Sequence, residues 1–233
     1  MSRYVATLAA LGLMAGSAMA ADTAGPRSWT GVYGGLNANW NFLSTDVSAP
    51  AQTYGNYVFD KASYGNQTGN GPGGGIQLGF DYQFGDSVVV GIQAITSVTG
   101  FDSSDTTAAG DKLGTELTSY GSLNARLGYL LQPDLLAYGK GGIAFGSFKY
   151  TDKNSDAGYS GSEDDVRRQG WMLGGGVEYR FAPNWSAFAE YDYTFFGSQT
   201  NELTYKTAAW GDSFKYNYDQ DIGSAVVGVN YRF

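Results

Sequence analysis

The 233-residue chain contains no cysteine and no histidine, and only 15% of its residues are charged. Without cysteine there is no disulfide framework. With histidine missing as well, the usual structural zinc sites are excluded, and so is any hydrolase built on an imidazole base. Positive charge is scarce: 14 Lys and Arg stand against 22 Asp and Glu, a net charge of −8. That balance leaves no basic footprint for phosphate, so nucleic acid is not an expected partner. Long apolar runs are missing too. The longest, Val5 to Ala15, is too short for a spanning helix of about 20 residues. It follows Arg3 and precedes Ala18-Met19-Ala20, which together have the order of a secretory signal. Cleavage is expected between Ala20 and Ala21. The expected organisation is therefore a signal peptide over 1–20, a short periplasmic segment over 21–28 and one domain over 29–233.

What the chain does have is glycine (35), tyrosine (18) and alternation. In the closing "VVGVNYRF", Val227, Val229, Tyr231 and Phe233 share one parity, and Gly228, Asn230 and Arg232 share the other. This is a strand with one apolar face. Seven further runs read the same way, at about 32–42, 76–84, 88–98, 117–131, 135–145, 171–181 and 187–195. Their connections alternate. Tight turns follow the second, fourth and sixth runs at Gly85, Pro133 and Pro183. Long polar segments follow the others, at roughly 44–72, 101–115, 147–168 and 197–219. Such sorting predicts an all-β, eight-stranded antiparallel up-and-down transmembrane β-barrel, with short periplasmic turns and four long extracellular loops.

The second face supports that choice. A soluble sandwich would carry dense charge there, whereas this face is Gly, Asn, Gln and Ser with a few charges of both signs. Such residues suit the inside of a narrow barrel whose apolar face meets lipid, and lipid forces the sheet to close. Tyr82, Phe84, Tyr129, Tyr179, Phe181, Tyr231 and Phe233 then form a lower aromatic girdle. Trp40, Phe42, Tyr193 and Phe195 form an upper one. Inside, Asp81, Glu116, Glu178, Glu190 and Asp192 are expected to pair with Arg126, Lys140, Arg180 and Arg232. Tyr33, Tyr120, Tyr138 and Phe188 fill the remaining section, which predicts no stable open channel. Inward glycines argue the other way, by leaving room for water. On the same alternation Asn230 is a replaceable lumen residue, and Asn230→Ser is expected to be nearly neutral.

Chemistry is sparse. Glu178, Glu190 and Asp192 could form an acid/base pair, but pairing with Arg126, Lys140 and Arg180 accounts for them better, so no enzyme and no cofactor is expected. Glu163, Asp164 and Asp165 lack the spacing of a calcium loop and read as a solvated charge run. Arg167 and Arg168 stand near the outer rim, where lipopolysaccharide phosphates or the acidic triplet would meet them.

"SLNARLGY", "GGGVEYRF", "AEYDYT" and "GVNYRF" resemble the small outer-membrane immunogenic proteins of alphaproteobacteria, related to opacity-type antigens and the barrel of outer membrane protein A. The resemblance runs from about Trp29 to Phe233. It implies an eight-stranded barrel inserted by the outer-membrane assembly machinery, which would read Gly228, Tyr231 and Phe233 as the assembly signal. It also implies a non-enzymatic surface antigen of the cell outer membrane that supports membrane integrity. Its partners would be outer-membrane lipids, lipopolysaccharide and host surface ligands. A small porin-like channel is the first alternative. A haem receptor using Tyr54, Tyr57 or Tyr159 is the second, since there is no histidine to serve as axial ligand.

Overall fold

The structure, a computed structural model, describes residues 28–54, 57–106, 112–154, 159–205 and 213–233. The expected signal peptide, its Ala20–Ala21 cleavage site and residues 21–27 lie outside the described residues, as do the side chains of Tyr54, Tyr57, Tyr159, Glu163, Asp164 and Asp165. The strands are β1 (Gly31–Ala49), β2 (Gln52–Tyr54), β3 (Tyr57–Phe59), β4 (Ala62–Phe84), β5 (Val88–Thr106), β6 (Lys112–Gln132), β7 (Leu135–Asn154), β8 (Tyr159–Arg180), β9 (Trp185–Tyr205) and β10 (Ser213–Arg232). Eight of them close into one antiparallel barrel in the order β1-β10-β9-β8-β7-β6-β5-β4, and β2 and β3 form a separate small hairpin. β10 pairs with β1 from Tyr33↔Arg232 to Ser48↔Asn217, so the closing strand has no free edge. At one end the chain reverses tightly, for example at Gly85, whose φ of +57° suits a residue without Cβ.

The expected faces are observed at the turn end of the barrel. Leu36, Leu127 and Leu173 are 62%, 62% and 63% exposed, and Ile76, Phe80, Ile92 and Val227 share their outer band. A soluble monomer rarely shows so large an apolar patch, whereas a lipid-facing band requires one. At its lower rim the aromatics stack edge to face: Tyr82 on Phe84 (4.6 Å), Trp185 on Tyr231 and Tyr231 on Phe233 (both 5.1 Å). Trp185 was not among the residues expected in that girdle.

The loops differ from expectation. Most of 44–72, 101–115, 147–168 and 197–219 continues the barrel wall as strand. The barrel strands run 19 to 23 residues, about twice the 9–11 that cross a bilayer. At about 3.3 Å per residue and roughly 40° of tilt, ~20 residues rise ~50 Å, against an apolar band of ~25 Å. About half of the wall therefore stands outside the membrane. There the polarity inverts. On β1, Trp40 and Phe42 face out, but above them Leu43, Val47 and Ala49 are buried while Asp46 is exposed. Leu43, Val47, Leu117, Phe148, Phe196, Tyr216, Tyr218 and Ile222 pack into an apolar cluster inside the upper barrel. Water replaces lipid around this part, so the hydrophobic effect turns apolar side chains inward. A pattern scored as apolar-out reads such segments as loop.

Candidate functional site

Among the described residues, buried polar groups gather in the lumen, and it fills in layers. At the turn end Trp29 precedes β1 and is fully buried. Its indole N–H donates to the Pro133 carbonyl (3.1 Å), and its backbone N–H donates to Gln83 Oε1 (2.8 Å). The Arg180 and Arg232 guanidinium groups lie 4.2 and 5.3 Å from its ring, within cation–π range. With Val89, Leu136 and Tyr138 it forms an apolar stopper in that mouth.

Above it sits the first charge layer. Arg126 pairs with Glu178 and with Asp81 (3.3 Å), and Arg232 pairs with Asp81 (2.9 Å). The Arg126 guanidinium lies 3.7 Å from the Tyr138 ring centre. Glu178 also accepts from the Ser186 hydroxyl and from Asn230 Nδ2 (3.1 Å). In a second layer Lys140 Nζ lies 2.7 Å from Glu190 and 3.0 Å from Asp192, and Tyr138 donates its hydroxyl to Glu190 (2.7 Å).

A chain of amides runs from Ser224 to the first layer. The Ser224 hydroxyl donates to Asn41 Oδ1 (2.8 Å), Asn41 Nδ2 to Asn39 (2.7 Å), and Asn39 Nδ2 to Asn37 (3.2 Å). Asn37 Nδ2 donates to Gln77 (2.6 Å), Gln77 Nε2 to Asn230 (2.7 Å), and Asn230 Nδ2 to Glu178. An ionised carboxylate only accepts. Glu178 therefore sets the orientation of Asn230, and through it that of every amide before it.

The inward glycines are seats for these side chains. A Cβ on Gly79 would collide with the Tyr33 ring, one on Gly228 with Phe188, one on Gly91 with Asp81 and one on Gly174 with Asp192. In those places the space is taken by protein. Higher up, Arg168 donates to Gln220 Oε1 and to the carbonyls of Gly197 (2.6 Å) and Tyr218 (3.2 Å). It ties β8 to β9 and β10 between the two stretches where β8 and β9 pair, Gly161–Ser162 and Trp171–Arg180.

Of the nine charges expected to share the lumen, Asp81, Arg126, Lys140, Glu178, Glu190, Asp192 and Arg232 form the two layers. Arg180 is buried beside them and donates to the Ser28 carbonyl (3.2 Å). Glu116 is a correction: it is exposed. The register of β6 shifts between Leu117 and Ser119, and that bulge puts Leu117 inside in its place. Arg168 is a second correction, since it is buried rather than presented at the rim; Arg167 is exposed. Gly228 and Tyr231 lie on the closing strand and Phe233 follows it, with Tyr231 and Phe233 outside and Gly228 under the Phe188 ring. Sequence reasoning missed Trp29 and the amide chain. The signal for the latter was the strict two-residue spacing of Asn37, Asn39 and Asn41 on one strand face. Among the described residues no group of three or more acidic side chains is placed to hold a metal ion.

These features have relatives. The 31 kDa outer-membrane immunogenic protein of Brucella melitensis is 33% identical over a 255-residue alignment covering 100% of this chain and 99% of that protein. The 22 kDa outer membrane protein of Rhizobium leguminosarum bv. viciae is 28% identical over 206 residues, 88% of this chain and 79% of its own. The outer membrane protein OprG of Pseudomonas aeruginosa superposes with a TM-score of 0.60 at 13% identity, over 89% of this chain and 98% of that one, a likeness of fold. Residues 6–233 match the outer membrane protein beta-barrel domain. The chain is an outer-membrane protein and belongs to that family.

Proposed function

We propose that this barrel is a non-enzymatic, closed outer-membrane scaffold that stabilises the membrane and presents its upper wall and loops at the cell surface. The observation that carries the reading is the filled lumen. Trp29 closes one mouth, two paired charge layers cross the middle, and an apolar cluster occupies the top. Side chains fill the section of an eight-stranded barrel, and here they are bonded to one another. The buried carboxylates are engaged by arginine, lysine and tyrosine, which favours a structural role over acid/base chemistry. The immunogenic relatives in Brucella accord with surface exposure. Lipids and lipopolysaccharide would surround the apolar band. The assembly machinery would take β10 with Gly228, Tyr231 and Phe233 as its signal. Host surface ligands would meet the wall above the membrane.

Planar-bilayer recordings of the purified monomer test the closed state. No long-lived conductance is expected. A large, stable open level from verified monomers would replace this reading with a channel.

A further inference from the structure

Among the described residues the ring of strands is continuous only as far up as the upper aromatic girdle. β4 and β5 pair from Phe84↔Val88 to Gly73↔Thr99 and no higher. Above that level β4 stays on β1 as far as Ala49↔Ala62, and β5 stays on β6 as far as Thr106↔Lys112. On the far side of the barrel β8 and β9 pair up to Trp171↔Phe195 and then part. They meet again at Ser162↔Thr204 and Gly161↔Tyr205. Both partings begin at the membrane rim: Pro72 lies opposite Trp40, and Trp171 and Phe195 are exposed aromatics. Lipid forbids unpaired backbone groups, whereas water above the rim accepts them.

The two seams cut the upper wall into two four-stranded sheets, β4-β1-β10-β9 and β5-β6-β7-β8. The buried apolar cluster lies between them, with Leu43, Val47, Tyr218 and Phe196 from the first sheet and Leu117 and Phe148 from the second. The Phe148 and Phe196 rings meet edge to face at 5.3 Å across that boundary. The membrane barrel thus continues upward as a sandwich, and a sandwich has edges.

These edges are not alike. The β8/β9 seam is shut at both ends by strand pairs, and Arg168 spans it to the Gly197 carbonyl (2.6 Å). On the open seam, residues 100–106 of β5 read GFDSSDT, with two aspartates, while residues 66–72 of β4 read NQTGNGP and carry no charge. Exposed edges are normally blunted by lysine, proline, a bulge or a short strand. Here Pro72 stands at the foot, and the register shift opposite Val47 and Ser48 lies at the top. Over 66–71 the pairing with β1 is regular, and Asn66, Thr68 and Asn70 are exposed. Alternate N–H and C=O groups of this stretch point away from β1 and form a template for one more strand.

We propose that residues 66–71 of β4 bind an extended segment of another polypeptide as an added strand. The backbone ladder supplies the affinity. The two lips of the seam carry two acids and no base, on a chain of net charge −8, so a basic segment is favoured. A second copy in the same membrane does not fit. Both copies of β4 lean by roughly 40°, so side by side they cross at roughly 80° and form no ladder. The inference rests on the proposed exposure of the upper wall, but peptide binding to the purified barrel is measured apart from conductance, so either reading can fail alone.

The test is hydrogen exchange of the native barrel in detergent, with and without a synthetic heptapeptide that alternates valine and threonine between two terminal lysines. In the free barrel the amides of 66–71 that face the seam are expected to exchange about a hundredfold faster than those bonded to β1. Peptide at ten times its dissociation constant is expected to slow them about tenfold. The same peptide N-methylated at every internal residue keeps its side chains but loses its donors, and is expected to bind at least about tenfold more weakly. Thr68→Lys and, separately, Asn70→Lys put a cation on the exposed edge and are expected to fold and to weaken binding of the unmodified peptide severalfold. Seam amides already protected in the free barrel, or left unprotected by millimolar peptide, overturn the proposal. Equal binding of the methylated peptide, binding unchanged in both lysine variants, or protection falling on β8 and β9 also overturns it. Protection that rises with protein concentration alone overturns it in favour of a second copy.

Discussion

Glu116 and Glu178 look alike in the sequence, each a lone acid on the polar parity of a strand, and replacing each with alanine separates them. Glu178 is fully buried and accepts from Arg126, Ser186 and Asn230. In Glu178→Ala, Arg126 keeps, among the described residues, Asp81 and Tyr33 as polar partners, at 3.3 and 3.4 Å. Removing one partner of a buried ion pair costs about 3–5 kcal/mol, and the two orphaned donors add to that unless water enters. Glu116 is exposed above the membrane, where a surface substitution stays within about 0.5 kcal/mol. Urea unfolding in detergent, followed by heat-dependent gel mobility, measures both. Glu178→Ala is expected to shift the unfolding equilibrium by roughly two to three and a half powers of ten, at about 1.4 kcal/mol per tenfold, and Glu116→Ala by less than threefold. A loss below ~1 kcal/mol for Glu178→Ala, or equal losses at both positions, would refute the lumen network.

Val229→Arg places a charge in the lipid-facing band and is expected to cost about 2–4 kcal/mol on refolding into bilayers. Asn230→Ser, one residue away, breaks the amide chain where it meets Glu178 and is expected to cost about 1–3 kcal/mol in the same assay; the alternation alone had made it neutral. Trp29→Ala removes the stopper of the turn-end mouth. It is expected to lose about 3–5 kcal/mol and to show brief conductance events in bilayer recordings that the native protein lacks. Deleting Phe233 removes the last ring of the lower girdle. Outer-membrane levels are expected to fall on quantitative blotting, and wild-type levels would show that assembly does not depend on this residue.

The amino-acid sequence by itself determined the strands within the membrane, their faces and their closure. Those depend on a two-residue period that is local, and lipid enforces it by tolerating neither an outward charge nor an open edge. Leu36, Leu127 and Val229 could be assigned outward for that reason, and Arg126, Lys140 and Glu178 inward. The tertiary structure decided what the period does not encode. A single bulge next to Leu117 exchanged Glu116 for a leucine on the inner face. Above the membrane, water on the outside reversed the rule, so Leu43, Val47 and Tyr218 turned inward in segments that read as loops. Arg168 went inward to close β8 onto β9 and β10. Which charges pair, which amide donates to which and where a cavity remains are set by distances across the lumen between residues as far apart as Asn41 and Ser224, and no spacing along the chain carries that information.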